Sequence, residues 1–443
     1  MSGLLKPGSA VKTESSNLDC YIHDFLDSGN QGEVYRAELG GKPVAFKLYY
    51  PDYLRFDKDL PQRLRMLIRE GAPNDRFLWP IEFVPVVSGI QSCGYIMPLR
   101  EKRFASLVDV MKRRVTPTFR SLATAGFELA NGYFQLHAKG LCYSNINFGN
   151  VFLDPSNGQV CICDFEYVHV QGDDYAVYGT MKFMAPEIVT GQAKPSIDTD
   201  LYSLAVLLFY MFMFHHPLDG LKEWNIRCFD APAQSKLYGS EPVFIFDPKD
   251  ASNRPAPEQD ANAEIFWSLY PTFLKDLFTR AFTDGIRDIK NGRVRESEWR
   301  AAMIQLRDSI IYCHKCGGEN FYHREENHKN VDSHGKCWRC GTELKSPFRI
   351  QIGRKLVMLN HDTHLYPYHI DDGHGPYDFS KPVSSVAQHP NEKNVWGLKN
   401  LTGNKWVYTD PDGSAHDIEP GRSVTLVAGR HINFGKIEGE IQV

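Results

Sequence analysis

No stretch of this chain is both long and apolar enough to cross a membrane. The longest apolar run, L-Y-S-L-A-V-L-L-F-Y-M-F-M-F at residues 201–214, falls short of the roughly 20 residues a span requires and reads as a buried core helix. The opening M-S-G-L-L-K-P-G-S-A has no apolar centre of the kind a secretion signal uses. Internal repeats and low-complexity tracts are also missing. So is an excess of one charge: 50 Lys and Arg stand against 54 Asp and Glu, a net charge of -4. That balance gives no general pull toward nucleic acid or an anionic membrane. Six cysteines, Cys20, Cys93, Cys142, Cys161, Cys163 and Cys228, are scattered rather than paired. Scattered cysteines in a large chain without a secretion signal are usually reduced and buried, so the expected location is the cytoplasm.

What is present is enough apolar material for several cores, 42% hydrophobic and 12% aromatic, in a chain of 443 residues that is too long for one ordinary domain. Residues 1–20 are polar and read as a flexible N-terminus. Strand-like runs dominate 21–99, with one helix around 59–69. From 100 to 310 apolar residues recur at helical spacing, with a loop over 247–262 rich in Pro, Asp and Asn. Two C-x-x-C pairs mark 311–345. Residues 346–443 read as all-β, with D-P-D-G and E-P-G-R as turns.

Chemistry-bearing pieces follow one another in the first 310 residues. D-S-G-N-Q-G-E-V-Y places Gly29 and Gly32 in a turn between strands, where a bare backbone can approach phosphates. V-A-F-K ends in Lys47, a cation on the next strand, and Glu70 closes the helical R-L-R-M-L-I-R-E as a possible partner for it. Y-S-N-I-N-F-G-N supplies Asn145 and Asn150, and C-D-F-E supplies Asp164. Asn and Asp offer hard oxygens suited to Mg²⁺. G-T-M-K-F-M-A-P-E at 179–187 and D-T-D-L-Y-S-L-A at 198–205 complete the series. Each is weak alone; their order is not.

Over residues 20–310 this series resembles the eukaryotic-type Ser/Thr protein kinases. The resemblance implies a bilobal α+β fold with ATP between the lobes. Gly29 and Gly32 match the glycine-rich loop, Lys47 the phosphate-binding lysine, and Glu70 its helix partner. Val34 and Ala45 would roof the adenine and Phe152 would floor it. Met97 matches the gatekeeper, with Pro98 and Leu99 as the hinge. Asn150 and Asp164 match the ligands of Mg²⁺ (or Mn²⁺), and Asn145 takes the catalytic position. Glu187 and Arg293 match a structural ion pair, Asp200 the aspartate that holds the catalytic-loop backbone, and Thr180 the Ser/Thr marker. Several positions depart from the pattern: Asp27 for the first glycine, Tyr143-Ser144-Asn145 for H-R-D, Asn147 for a lysine, and Glu166 for the glycine of D-F-G. With Ser144 in place of the arginine, the segment between Asp164 and Glu187 is expected to order without phosphorylation. A D-F-G-out switch is not expected.

An amide at 145 cannot take a proton from a substrate hydroxyl, although it can orient one. Two readings follow: a nucleotide-binding pseudokinase scaffold, or a working kinase inactivated by Asp→Asn at 145. The second is favoured because the sequence keeps every other nucleotide and metal contact.

Cys313, Cys316, Cys337 and Cys340 form two C-x-x-C knuckles suited to a closed, structural zinc site. His323, His328 and His334 lie between them as alternative ligands. In the tail, I-G-R at 352–354, N-L-T at 400–402 and L-V-A-G-R-H-I-N-F-G resemble a forkhead-associated (FHA) β-sandwich. No S-x-x-H core of a phosphothreonine reader is evident, so Arg354 and Asn400 are distant candidates for phosphate contacts. The histidines His361, His364, His369 and His374 are expected to be solvated rather than metal-bound.

The combination of kinase, zinc ribbon and FHA-like tail is similar to bacterial kinases of the TerY-phosphorylation triad. That likeness implies a von Willebrand A-domain protein and a PPM-type phosphatase as partners in stress signalling. The expectation is a Ser/Thr protein kinase acting on a protein substrate, with neither nucleic acid nor membrane as partner. A phosphopeptide-binding recruitment module is a further alternative.

Overall fold

A computed structural model describes residues 3–87, 89–173, 179–323, 335–371 and 377–443. The chain divides into two compact units, Met1–Ser268 with Lys275–Ala301, and Leu269–Leu274 with Ala302–Val443. Among the described residues no helix is long and apolar enough to cross a membrane.

The first unit begins with an antiparallel sheet of β1 (Ala10–Lys12), β2 (Asp19–Ser28), β3 (Gly32–Leu39), β4 (Lys42–Tyr49), β5 (Glu82–Val84) and β6 (Gly94–Pro98), in the order β1-β2-β3-β4-β6-β5. The N-terminal stretch, expected to be flexible, supplies β1: Val11 is buried opposite Cys20, which anchors the edge. Helices α1 (Pro51–Phe56) and α2 (Leu60–Glu70) follow β4. In α2 the leucines 60, 64 and 67 recur at helical spacing and form the buried face. Gly71, with φ of 67°, ends the helix.

The helical part holds α3 (Leu107–Met111), α4 (Phe119–Ala138), α5 (Pro186–Val189) and α6 (Ile197–Met213). Thr118 caps α4 by accepting from the Ser121 N–H. Ser196 and Thr199 form a reciprocal capping box on α6. The long apolar run of the sequence is this helix, buried on nearly all sides.

The second unit contains the hairpin of Ile310–Tyr312 with Glu319–Phe321 and two larger sheets. One sheet orders Lys355–Met358, Arg349–Ile352, Glu438–Gln442, His431–Asn433, Trp406–Thr409 and Ala415–Ile418; the other orders His364–Leu365, Ser384–Gln388, Trp396–Asn400 and Ser423–Thr425. Ile350, Trp406 and Ile432 from the first share one core with Val386, Leu398 and Val424 from the second, so the two sheets form a sandwich. The tail also carries a helical turn, Pro367–Ile370.

The second unit holds both the cysteine pairs and the sandwich strands. The ribbon has little apolar material of its own, and Ile311, Cys313, Cys337 and Leu344 pack in one cluster with Met358.

Candidate functional site

The roof residues assemble as their register dictates. Val34 lies opposite Lys47, and Ala45 opposite Met97. Val34, Ala45, Met97 and Leu99 share one apolar cluster. Phe152 projects from the strand Val151–Leu153, and the Arg100 guanidinium stacks 4.1 Å from its ring centre. In the glycine turn the two glycines have different jobs. A side chain at Gly32 would collide with the Leu48 carbonyl at 2.0 Å, whereas Gly29 faces open space. Gly32 is therefore required by strand packing, and Gly29 leaves the room a phosphate would need.

Lys47 is buried, and its ammonium lies 3.0 Å from an Asp164 carboxylate oxygen. Burial would lower its pKa, but the charges of Asp164 and Glu166 outweigh that and hold it well above the usual lysine value. The expected partner, Glu70, is not there. It is the last residue of α2 and is exposed, and its backbone carbonyl accepts from Lys139 Nζ at 2.8 Å. Glu166 makes the ion pair with Lys47 instead. Its carboxylate is fully buried and also accepts from Tyr49 Oη at 2.8 Å. On α2 it is Arg63 that reaches this region: it donates to the Glu166 carbonyl at 3.0 Å and forks onto Asp57. Gln31, at the tip of the glycine turn, closes over the same group, with Lys47 Nζ at 3.4 Å and Tyr167 Oη at 2.9 Å. Sequence reading noted Glu166 only as a departure from D-F-G and missed its pairing with Lys47, and it missed Arg63 and Gln31.

The loop of residues 143–150 is held by α6. Asp200 accepts from the Tyr143 and Ser144 N–H groups. It also pairs with His137 Nε2 at 3.2 Å, while His137 Nδ1 contacts Glu296. Burial would lower the His137 pKa, but the bonds to Asp200 and Glu296 override it and push it up to about 9. Ser144 and Asp164 both have left-handed backbone, φ 63°. For residues with a β-carbon that conformation costs of order 1–3 kcal/mol and is kept where the surroundings over-determine it. Tyr143 packs edge-on to Phe165, Phe165 lies 4.8 Å from the Trp79 ring, and Trp79 donates to the Leu67 carbonyl of α2. An aromatic column therefore ties the helix to the loop.

Asn145 Oδ1 accepts from the Thr180 N–H and hydroxyl, both at 3.2 Å, and from Asn147 Nδ2 at 3.0 Å. Asn150 Nδ2 donates to the Asn145 carbonyl at 3.0 Å, so the other terminal atom of its amide is an oxygen acceptor. That oxygen and the Asp164 carboxylate are the hard donors a Mg²⁺ ion prefers. Arg293 grips both Glu187 oxygens, at 2.8 and 2.9 Å.

Residues 91–251 match the protein kinase domain. That match covers about a third of the chain. The matched residues include Met97, Asn145, Asn150 and Asp164; the glycine turn and Lys47 lie before them. Among similar curated proteins are a serine/threonine-protein kinase, pkn2, of Myxococcus xanthus, 31% identical over 44% of this chain and 24% of its own length. Protein kinase C delta type of Mus musculus is 35% identical over 48% of this chain and 32% of its own. Mitogen-activated protein kinase kinase kinase dlk-1 of Caenorhabditis elegans is 27% identical over 46% of this chain and 21% of its own. The chain spans less than a third of the length of each of these relatives.

In the second unit the four paired cysteines place their sulfurs within 4.8 Å of one another. Cys313 and Cys340 are 3.6 Å apart and Cys316 and Cys337 3.7 Å, too far for disulfides. Four thiolates at about 2.3 Å from a central zinc would stand about 3.8 Å apart, so the donor set fits a tetrahedral ion. Each knuckle is built alike. Cys313 accepts from the Gly317 N–H and Cys337 from the Gly341 N–H, both glycines having left-handed backbone. Hydrogen bonds from Thr342 pull the Cys340 pKa down to about 6, toward the thiolate a metal needs. His328, His334 and His374 lie outside the described residues. His369 is buried and bonded to Asp308 and the Tyr366 N–H. Asn400 is fully buried, with its amide bonded to the Asn404 and Ile418 carbonyls and to Thr402, so it is not available to a phosphate. Arg354 is exposed at a turn between strands.

Proposed function

We propose that the first unit is a Ser/Thr-type protein kinase that binds ATP with Mg²⁺ and transfers its γ-phosphate to a protein hydroxyl, with transfer suppressed by the amide at 145. The observation that carries this is a run of contacts from Gln31 of the glycine turn to Lys47, from Lys47 to Asp164, from the Cys163 N–H to the Asn150 carbonyl, and from Asn150 to Asn145. Val34, Ala45, Met97 and Leu99 would enclose the adenine over Phe152, Lys47 would hold phosphate oxygens, and Asn150 and Asp164 would hold the ion. Bound Mg²⁺ supplies charge neutralisation on the phosphates.

The socket around residue 145 favours an inactivated kinase over a scaffold shaped for another purpose. All three donors, two from Thr180 and one from Asn147, meet one oxygen of Asn145. An Asp would be held identically there, and only its second oxygen would differ, facing the substrate as a proton acceptor. One part of the sequence argument falls away, because the Lys47–Glu70 contact is not kept. That rewiring is the specific support for the scaffold reading. Thermal unfolding with and without ATP and Mg²⁺ tests nucleotide binding: stabilisation of the unaltered chain and none of Lys47→Ala is the expected result.

We propose further that the cysteine cluster is a structural zinc ribbon and that the sandwich is FHA-like, docking substrate or partners. A von Willebrand A-domain protein, a PPM-type phosphatase and a role in bacterial stress signalling follow only from the family likeness. Binding of phosphothreonine peptides to the full chain would favour the recruitment reading.

A further inference from the structure

Resting on the nucleotide reading above, we infer that Glu166 is the positioning carboxylate for Lys47, so that the phosphate-binding lysine is aligned by the 164–166 segment and not by a glutamate of helix α2. Three observations converge. The Lys47 ammonium is closed in by Glu166 and Asp164, two carboxylates of one tripeptide. Glu166 is fully buried and is oriented by Tyr49 Oη at 2.8 Å, from the strand that also carries Lys47. The α2 side chain that points at this region is Arg63, a cation unable to serve as partner for Lys47 and bonded instead to the Glu166 backbone.

The arrangement has a consequence for control. A protein kinase is competent only when its lysine–glutamate pair and its metal-binding aspartate are both in place. When the glutamate is carried by a helix, the two conditions can be switched separately. Here both carboxylates belong to residues 164–166, so one displacement of that segment removes the lysine partner and the metal ligand together. Arg63 adds a tether from α2 to the same segment, so helix and segment shift as one.

The test uses the full chain with Glu166→Gln, which keeps the shape and the Tyr49 contact but removes the charge, and with Glu70→Gln. Two readouts are taken: Mg·ATP affinity by calorimetry, and the rate at which Lys47 is acetylated by acetic anhydride, followed by mass spectrometry without nucleotide. Glu166→Gln should weaken Mg·ATP binding about tenfold, the low end of what one hydrogen bond to a charged group is worth, and should speed Lys47 acetylation. Glu70→Gln should change neither. Where Glu166→Gln unfolds, Tyr49→Phe replaces it, and a smaller change in the same directions is expected; Glu166→Asp should restore part of the affinity. The opposite pattern, with Glu70→Gln altering both readouts and the 166 and 49 variants neither, overturns the inference. If the unaltered chain binds no Mg·ATP, the nucleotide reading and the positioning role fall together, while acetylation still reports which carboxylate holds the amine.

Discussion

Residue 145 shows how much can hang on one atom. Its accepting oxygen is held by Thr180 and Asn147, and its other atom is a donor where general-base chemistry needs an acceptor. Asn145→Asp should therefore raise phosphate transfer by about 10²–10⁴-fold, the usual worth of a positioned general base, with the melting temperature little changed. His137 makes a pH prediction. Its pKa is raised from 6.5 to about 9 by Asp200 and Glu296. The stability it contributes is complete below pH 6.5 and is lost as pH rises through 9. Linkage puts that contribution at about 3 kcal/mol. Unfolding followed from pH 6 to 10 should show this loss in the first unit, and His137→Gln should abolish it. At this scale the residue types at 47, 145, 150 and 164 could be read from sequence, but the partner of Lys47 could not. Glu70 continues the α2 pattern, yet the helix stops there at Gly71, and only the fold shows that Arg63 occupies the turn facing Glu166.

Among the elements, the pieces that hold the site are the turn of Gly29 and Gly32, the catalytic loop and helix α6. A side chain on Gly179 would meet the Ser144 carbonyl at 2.4 Å and press on Asn145. Gly179→Ala should push Thr180 away from residue 145 and destabilise the first unit by about 1–3 kcal/mol. It should also cut transfer in an Asn145→Asp background, whereas Gly29→Ala, whose added Cβ meets nothing within 4 Å, should leave stability little changed. Denaturant melts and transfer assays on the two variants check this. Element types were largely legible, because α4 has helical spacing, the apolar run at 201–214 is long enough for one buried helix, and alternation marks several tail strands. The N-terminal strand was not: A-V-K buries only one side chain, Val11, and it does so in a cluster with Cys20, Ile22 and Ala37 that only the fold assembles.

At the scale of the whole chain, two units carry different dependences. The second unit packs Cys313 and Cys337 into an apolar cluster with Met358, so its fold should depend on metal. A strong chelator should release one equivalent of zinc per chain, measured by a metal-sensitive dye. Hydrogen exchange should then rise over 311–323 and 335–345, with Cys313→Ser doing the same without chelator. That Cys313 and Cys337 pack with Met358 was not visible in sequence, since the change of composition at Cys313 marks chemistry and says nothing of what packs against it.

The most direct measurement of the central claim is phosphate transfer from labelled ATP to the chain itself and to a Ser/Thr-rich acceptor protein. It compares the unaltered chain, Asn145→Asp, and Asn145→Asp combined with Lys47→Ala as the blank. The account predicts transfer by Asn145→Asp alone. Transfer at the level of the blank by all three, with ATP and Mg²⁺ still stabilising the first two against heat, would contradict it and leave a nucleotide-binding scaffold in its place.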